Sequence, residues 1–284
     1  MIPRAVFTAV ILFVIYALCK PLYPAGQSLN QWQGNLVKAQ RFLYGNQDQA
    51  ENIIIGSSLT ERLNMGFLPE FYSLSFNGLS VFDGLTVIQR KEHPPAQVLI
   101  ETNYILRQEH EQFSSTINAE INYQIRKFIP VLREEYQPVV IISSGLSDLI
   151  EKKRGKGSEK AEIISEQNRP DLFAKLLAEQ VAKNKKRPGC ELLSRSFTKL
   201  RGQVNNLEKQ GVTVIFYEMP VDARVNRLPK PRIVRDYFHY YFPDGKYQFV
   251  QPVDCNGFST TDGVHLDDKS AISFTNYFLE QITK

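Results

Sequence analysis

The stretch Asn52-Ile53-Ile54-Ile55-Gly56-Ser57-Ser58-Leu59 decides the fold class, because it predicts a buried strand followed at once by a polar turn. Three consecutive β-branched residues in so short a run favour a strand over a helix. A strand that ends in glycine and serine places a hydroxyl at the carboxyl edge of a sheet. Both Ser57 and Ser58 satisfy this position. A serine here is also typical of a helix N-cap, and Ser58 with Glu61 resembles a capping box.

Further strand and helix patterns alternate along the chain. The apolar runs predict strands at 72–76, 95–100 and 211–217, and helices at 81–90, 117–135, 190–210 and 268–281. Strands that alternate with helices predict an α/β fold, in which a parallel sheet is covered by helices on both faces. Residues 139–142 fit either a strand or a helix that packs on the sheet.

The N-terminal segment is apolar enough to predict contact with a membrane. Residues 5–18 carry no charge and lie between Arg4 and Lys20. As a helix they span roughly 21 Å, short of the ~30 Å hydrocarbon core, although the two flanking cations can snorkel to the surface. We interpret residues 1–23 as an uncleaved membrane anchor, with a signal peptide as the alternative.

This interpretation sets the expected domain organisation. Residues 24–50 are expected to form a stalk and a leading helix, and residues 51–284 an extracytoplasmic domain, periplasmic or at the cell surface. An insertion at 139–189 contains a short helix predicted at 171–183. We favour a solvated surface excursion for it over a lid.

Composition and charge exclude some classes of function. The chain of 284 residues is 43% hydrophobic with a net charge of +4, which is typical of a globular protein with a substantial core. No basic stripe interleaved with aromatic residues is present, so nucleic-acid binding is not expected. The basic clusters 152–154 and 183–187 are interpreted as solvated helix ends or loops. Whether Cys190 and Cys255 pair stays open.

A second polar motif lies near the C-terminus and complements the serines. Asp262-Gly263-Val264-His265 places a carboxylate three residues before an imidazole, on a turn that contains glycine. The carboxylate can then accept the imidazole Nδ1–H and leave Nε2 to take a proton from a serine. The other three histidines lack the spacing of metal ligands, so neither a metal nor another cofactor is expected.

Serine-based acyl chemistry also needs donors for an oxyanion, and two candidates follow predicted strands. Asn77-Gly78 comes directly after the strand at 72–76, and Asn103 follows the strand at 95–100. Gly78 by itself is typical of a turn, and Asn103 by itself is typical of a loop or cap. Both residues fall at strand ends, in the order that an active site at one sheet edge requires.

Together these four blocks resemble the SGNH/GDSL hydrolase family, which implies a flavodoxin-like three-layer α/β/α fold over residues 52–282. Gly56-Ser57-Ser58-Leu59 stands where the family has Gly-Asp-Ser-Leu, which makes Ser58 the implied nucleophile. The later blocks of the family are matched in order by Gly78, Asn103, and the pair Asp262 and His265. The implied oxyanion donors are the backbone N–H groups of Ser58 and Gly78 and the side-chain amide of Asn103.

Two departures from the family pattern bear on function. Ser57 replaces the aspartate of the first block, and this Gly-Ser-Ser form resembles membrane-anchored, extracytoplasmic members that act on cell-surface polymers. Glu101-Thr102-Asn103-Tyr104 replaces Gly-x-Asn-Asp in the third block, and Glu101 is expected to alter the shape or charge of the acyl pocket.

The resemblance implies a serine esterase or O-acyltransferase without cofactor. Its expected substrate is an acylated, in particular O-acetylated, glycan of the cell surface, or another small ester. Hydrolysis and transfer are not separated by the sequence, since they differ only in the acceptor that reaches the acyl-enzyme. The alternative is a catalytically degenerate scaffold with the same fold, working with surface-polysaccharide assembly proteins.

Overall fold

A computed structural model of the protein describes residues 2–19, 30–45, 51–137 and 165–283. The segments 139–142 and 152–154, for which the sequence made predictions, lie outside these ranges. The chain divides into two compact units. The first comprises Met1–Gln47 and Thr116–Ser158, and the second comprises Asp48–Ser115 and Glu159–Lys284.

Helices and strands alternate over most of the second unit. The helices in the described ranges are α1 (Ile2–Cys19), α2 (Gln31–Tyr44), α3 (Val81–Gln89), α4 (Glu111–Asn118), α5 (Glu120–Phe128), α6 (Pro170–Lys185), α7 (Cys190–Lys209), α8 (Ala223–Asn226), α9 (Pro229–Tyr241) and α10 (Asp268–Ile282). The strands are β1 (Asn52–Gly56), β2 (Phe71–Ser75), β3 (Gln97–Glu101), β4 (Thr213–Tyr217) and β5 (Gln248–Phe249).

The five strands form one parallel sheet in the order β2-β1-β3-β4-β5. β2 pairs with one edge of β1, and the chain then crosses over so that β3 pairs with the other edge of β1. The order of strands therefore reverses between β1 and β3. In doubly wound sheets, ligands bind at the carboxyl edge at this switch point. Ser58 follows β1 and Asn103 follows β3, so both lie at that edge.

Helices pack on both faces of this sheet, which makes the protein α/β. Ile54, Leu99 and Ile215 are cross-strand partners on one face, where they join a core that includes side chains of α6 and α10. Phe216 of β4 points to the opposite face and contacts Phe238 of α9. On that face α3 lies close to β1, because a Cβ at Gly84 would be 3.1 Å from the Ile55 side chain. Burial on both faces explains why the central strands β1, β3 and β4 are mostly apolar runs without alternation.

The first unit is helical in its described part. Asn30 caps α2 by accepting a hydrogen bond from the Gln33 backbone N–H at 2.9 Å. Arg41 of α2 forms an ion pair with Glu135 at 2.8 Å. The sequence predicted a membrane anchor over α1. Among the described residues, no helix combines the length and apolarity needed to cross a membrane.

The predicted strands agree with the structure to within two residues at each end. The helices predicted at 81–90, 171–183, 190–210 and 268–281 are confirmed over nearly their whole predicted lengths. A continuous helix over 117–135 is wrong. Two helices and two 3-10 turns occupy this region, and one turn begins at Pro130, which lacks a backbone N–H and clashes with a preceding helical turn. The helices α8 and α9 and the two-residue strand β5 were not predicted.

Candidate active site

Close packing explains the glycine at the end of β1. A Cβ at Gly56 would lie 2.0 Å from Thr60 Oγ1 and 2.7 Å from Glu101 Oε2, so no larger residue fits. The chain then passes through Ser57 and Ser58 into a 3-10 turn at Thr60–Arg62. Ser58 is not a helix cap, because Leu59 occupies the cap position and no side chain caps this turn. The capping-box interpretation of Ser58 is therefore wrong.

A buried polar network lies beneath the serine turn, and we call Ser57, Thr60, Glu101 and Tyr217 the Glu101 network. The Glu101 carboxyl group accepts hydrogen bonds from the Ser57 backbone N–H at 2.7 Å, the Ser57 hydroxyl at 2.9 Å and the Thr60 hydroxyl at 2.6 Å. The Thr60 and Tyr217 hydroxyl oxygens are 2.7 Å apart. These bonds tie both ends of the turn that carries Ser58 to the tips of β3 and β4.

Burial shifts the titration of this network. Glu101 has no exposed surface, and desolvation raises the pKa of its carboxyl group against the opposing effect of hydrogen bonds from Thr60 and Ser57. Desolvation and the nearby Glu101 also raise the pKa of Tyr217 well above 10.0. Glu101 supports the serine turn and does not line the cavity beside it, so the expected change in the shape of the pocket is wrong. Desolvation and the charge of Glu101 raise the pKa of Tyr104, which lines that cavity, so the expected effect on charge stays a prediction.

The C-terminal motif forms a tight turn around one carboxylate. Asp262 Oδ1 accepts hydrogen bonds from the backbone N–H groups of Val264 at 3.0 Å and His265 at 2.8 Å. Its Oδ2 lies 2.7 Å from His265 Nδ1. Gly263 allows this turn, since its φ of +95° is in the left-handed region. Burial tends to raise the pKa of Asp262, but the hydrogen bonds from His265 outweigh it, and the pKa lies below its ordinary 3.8.

The two motifs meet at the carboxyl edge of the sheet. His265 Nε2 lies 2.8 Å from Ser58 Oγ. Because an ionised Asp262 can only accept, His265 carries its proton on Nδ1, and its Nε2 accepts from the Ser58 hydroxyl. Ser58, His265 and Asp262 thus have the relative positions that a nucleophile, a base and an orienting carboxylate require. Of the two candidate serines, Ser57 points into the Glu101 network instead.

The predicted oxyanion donors have different surroundings. Within the described residues, the Ser58 backbone N–H has no protein acceptor. Asn103 lines the same cavity as Ser58 and His265. Its amide pairs with the Met219 backbone at 2.9 Å and 2.8 Å, which fixes the amide plane and leaves one of its two Nδ2–H groups for a ligand. Gly78 is exposed with φ of +75° in the turn after β2, outside the lining of that cavity.

Several residues of the site were missed by the sequence analysis. A cavity of about 660 Å³ opens from Ser58 and His265, and residues of α6 and the loop that follows it form part of its wall. Phe173 and Leu177 of α6 are buried in the core. The prediction that 139–189 is a solvated excursion is therefore wrong for α6, although the helix itself was predicted. The basic side chains of the cluster 183–187 are exposed, as expected, yet Lys183, Lys186 and Arg187 line the cavity together with the buried Asn184.

Two further observations concern other site chemistries. In the described part of the chain, no three side chains of His, Cys, Asp or Glu come together as a metal site would require. Cys190 and Cys255 are free thiols, the first exposed and the second buried.

Comparison with known proteins gives no match to a protein-family model and no match to a curated protein. The likeness to SGNH/GDSL hydrolases therefore depends on the four sequence blocks quoted above.

Proposed function

We propose that this protein is a serine-dependent ester hydrolase or O-acyltransferase of the SGNH type. The observation that carries this proposal is the unbroken chain of hydrogen bonds from Ser58 through His265 to Asp262 at the carboxyl edge of a parallel sheet. The all-parallel order β2-β1-β3-β4-β5 supports the finer assignment to a flavodoxin-like three-layer sandwich.

The proposed reaction begins with attack of Ser58 Oγ on an ester carbonyl. His265 Nε2 takes the serine proton, and Asp262 stabilises the imidazolium that forms. The backbone N–H group of Ser58 and the side-chain amide of Asn103 donate to the oxyanion, whereas Gly78 lies outside the lining of the cavity and is not assigned this role. The tetrahedral intermediate then expels the alcohol, which receives the proton from His265, and an acyl-Ser58 ester remains.

The second half of the reaction decides between hydrolysis and transfer. His265 takes a proton from an acceptor hydroxyl, and the acceptor oxygen attacks the acyl-Ser58 carbonyl. Collapse of the second tetrahedral intermediate returns the proton to Ser58 Oγ and releases the acyl group. Water as acceptor gives an acid, whereas a sugar hydroxyl gives a new ester.

We further propose that the substrate is an O-acetylated polysaccharide outside the cytoplasm. We also propose that the protein is attached to the membrane through α1. The uncharged stretch 5–18 supports attachment, as do the exposed apolar side chains of α1, among them Phe7, Leu12 and Leu18. Alkaline carbonate extraction of membranes tests this proposal. Release of the full chain into the soluble fraction would contradict it.

A catalytically degenerate scaffold is the alternative function. Such a protein has no need to keep a serine, an imidazole and a carboxylate in register. The separation of 2.8 Å between Ser58 Oγ and His265 Nε2, reached across 207 positions of sequence, therefore supports the enzyme over the scaffold.

A fluorophosphonate probe tests the nucleophile. We expect the full-length protein to be labelled, peptide mapping to find the phosphonate on Ser58, and Ser58→Ala to abolish labelling. Ser115→Ala, at an exposed position of α4, is the matched control and is expected to react at the wild-type rate. Labelling that persists in Ser58→Ala would exclude Ser58 as the nucleophile. Hydrolysis of p-nitrophenyl acetate, measured with and without a glycan acceptor, then separates esterase from transferase.

A further inference from the structure

The cavity that opens from Ser58 is lined by positive charge. Five cationic side chains contribute to its wall, and no aspartate or glutamate is among its described lining residues. The cations are Arg107, Lys183, Lys186, Arg187 and Lys230. They come from the loop after β3, the end of α6, the loop after it and the first turn of α9. A positive wall assembled from four parts of the chain differs from a single basic run on a helix.

In the part of the chain that the structure describes, these cations lack the carboxylate partners that several other cations of the second unit have. Lys199, Arg224 and Arg235 each form an ion pair with a carboxylate. Within the described residues, no ion pair involves a cation of the cavity wall.

Two of the cavity cations are held near one another. Arg107 donates to the Leu79 carbonyl oxygen at 2.9 Å and stacks over the Tyr104 ring at 4.6 Å, which fixes its guanidinium at the wall. Lys230 is half-buried, and desolvation together with the positive charge of Arg107 lowers its pKa. A carboxyl group that acts electrostatically on Arg107 is the buried Glu101, which forms no ion pair with it in the described part of the chain. Like charges that lack an ion-pair partner and face a cavity favour the binding of an anion.

We propose that this cavity binds a polyanionic glycan, whose carboxylate or phosphate groups pair with the cationic wall while an O-acyl ester reaches Ser58. The proposal rests on the proposed function, because it names the substrate class of the same site. A polymer fits better than a small anion, since the charges are spread over the wall of a cavity of about 660 Å³. A nucleic acid fits less well, because Tyr104 is the only Phe, Tyr or Trp side chain among the described lining residues.

Protection of Ser58 from a neutral fluorophosphonate tests this proposal without knowledge of the natural sugar. The full-length protein in nonionic detergent is incubated with polygalacturonate, poly(glycerol phosphate), neutral dextran or a single-stranded oligonucleotide before labelling. At low salt we expect at least one of the two anionic glycan-type polymers to slow labelling about tenfold or more, and dextran to have no effect. The first two polymers distinguish carboxylate from phosphate groups. At about 1 M salt the protection is expected to vanish.

Two matched double variants each reverse two positive charges in the same region of the chain. Lys183→Glu/Arg187→Glu changes the cavity wall and is expected to lose the protection. Lys175→Glu/Lys185→Glu reverses two exposed charges of α6 that do not line the cavity, and it is expected to keep the protection. Anisotropy of a fluorescent polygalacturonate and of a fluorescent poly(glycerol phosphate) measures binding to each variant directly and does not require reaction at Ser58.

The outcomes separate this proposal from the proposed function. Absence of labelling at Ser58 contradicts the serine chemistry, and the anisotropy measurement still decides polymer binding. If Ser58 is labelled normally without polymer, and dextran protects it as well as both polyanions do, the anionic substrate class is overturned and the serine chemistry stands. Protection by the oligonucleotide at lower concentration than by either polyanion assigns the cavity to nucleic acid instead. Equal protection in the two double variants overturns the role of the cationic wall.

Discussion

Glu101 shows how one buried residue can support the turn that carries Ser58, the proposed nucleophile, without touching that serine. Its carboxyl group takes three hydrogen bonds from the residues on either side of Ser58 and exposes no surface to solvent. Glu101 stands where the family that the sequence resembles has the glycine of its third block. Ser57 stands where that family has the aspartate of its first block. The two departures are therefore coupled, because the Ser57 hydroxyl and backbone N–H both bind Glu101.

The raised pKa of Glu101 predicts a dependence of stability on pH. The folded-state value lies above the ordinary 4.5, so the stability contributed by the protonated carboxyl group is complete below about pH 4.5 and is lost as pH rises through the folded-state pKa. The loss is at most about 1.4 kcal/mol per pH unit. Glu101→Gln cannot ionise, so we expect its free energy of unfolding to rise relative to wild type across this window.

Urea denaturation at a series of pH values measures this difference. Glu179→Gln, at an exposed position of α6, is the matched control and is expected to follow the wild-type curve. A difference between Glu101→Gln and wild type that stays constant with pH would contradict the raised pKa.

Asp262→Asn is expected to slow labelling of Ser58 by about 10³- to 10⁴-fold. The carboxamide cannot accept the His265 Nδ1–H with the strength of a carboxylate, and it favours the wrong tautomer by offering its own N–H. Asp236→Asn, at an exposed position of α9, removes the same charge and is expected to label at the wild-type rate. Similar rates for the two variants would contradict the orienting role of Asp262.

Ser58, Asp262 and His265 could be proposed from sequence because each belongs to a short local motif. The other members of the Glu101 network could not, since they come from the turn after β1 and from β4 and become neighbours only when the sheet forms. For the same reason the cations at 183–187 looked like an ordinary helix end. Their relation to Ser58 depends on how α6 packs, and no spacing in the sequence encodes that packing.

Among the turns, the one that carries Asp262 and His265 depends on Gly263. Its φ of +95° is unfavourable for other residues, and an added Cβ would lie 2.8 Å from the buried Leu177 side chain. We expect Gly263→Ala to lower the free energy of unfolding by more than about 1 kcal/mol and to slow labelling of Ser58.

Gly211→Ala is a matched control for backbone strain. Gly211 has φ of +81°, and a Cβ there would meet no atom within 4 Å. It is expected to cost about 1 kcal/mol of stability through strain alone and to leave the labelling rate unchanged. Thermal unfolding and probe kinetics measure both effects. If the two variants label equally fast, the geometry of the Gly263 turn does not limit reactivity.

Strands that run through the centre of the sheet were the easiest elements to predict. Both of their faces are buried, so β1, β3 and β4 are continuous apolar runs. The edge strand β5 has only two residues, Gln248 and Phe249, and carries no such signal. Its pairing with β4 depends on tertiary contacts, which leave no local periodicity in the sequence.

For the whole molecule, the division into two units is the feature that sequence could not supply. Residues 116–158 belong with 1–47, although nearly seventy residues of the second unit separate the two segments. Sequence patterns report local periodicity and do not report which distant segments share a core. All residues proposed for catalysis and for anion binding belong to the second unit.

This division predicts that equivalent cavities in the two units have different effects on Ser58. Phe42 of α2 and Phe278 of α10 are both fully buried, and truncation of either to alanine is expected to cost about 3–5 kcal/mol. The Phe278 ring lies 5.0 Å from that of Tyr217, which belongs to the Glu101 network beneath Ser58. We therefore expect Phe278→Ala to slow labelling of Ser58 and Phe42→Ala to leave its rate unchanged.

Hydrogen exchange measured by mass spectrometry locates each effect. Phe42→Ala is expected to reduce protection in α2, and Phe278→Ala in β4 and α10, because a cavity first destabilises the elements packed around it. Each variant thus serves as the control for the other, since the residue type and the degree of burial are the same. Equal slowing of Ser58 labelling by both would mean that the reactivity of the site depends on the first unit as well.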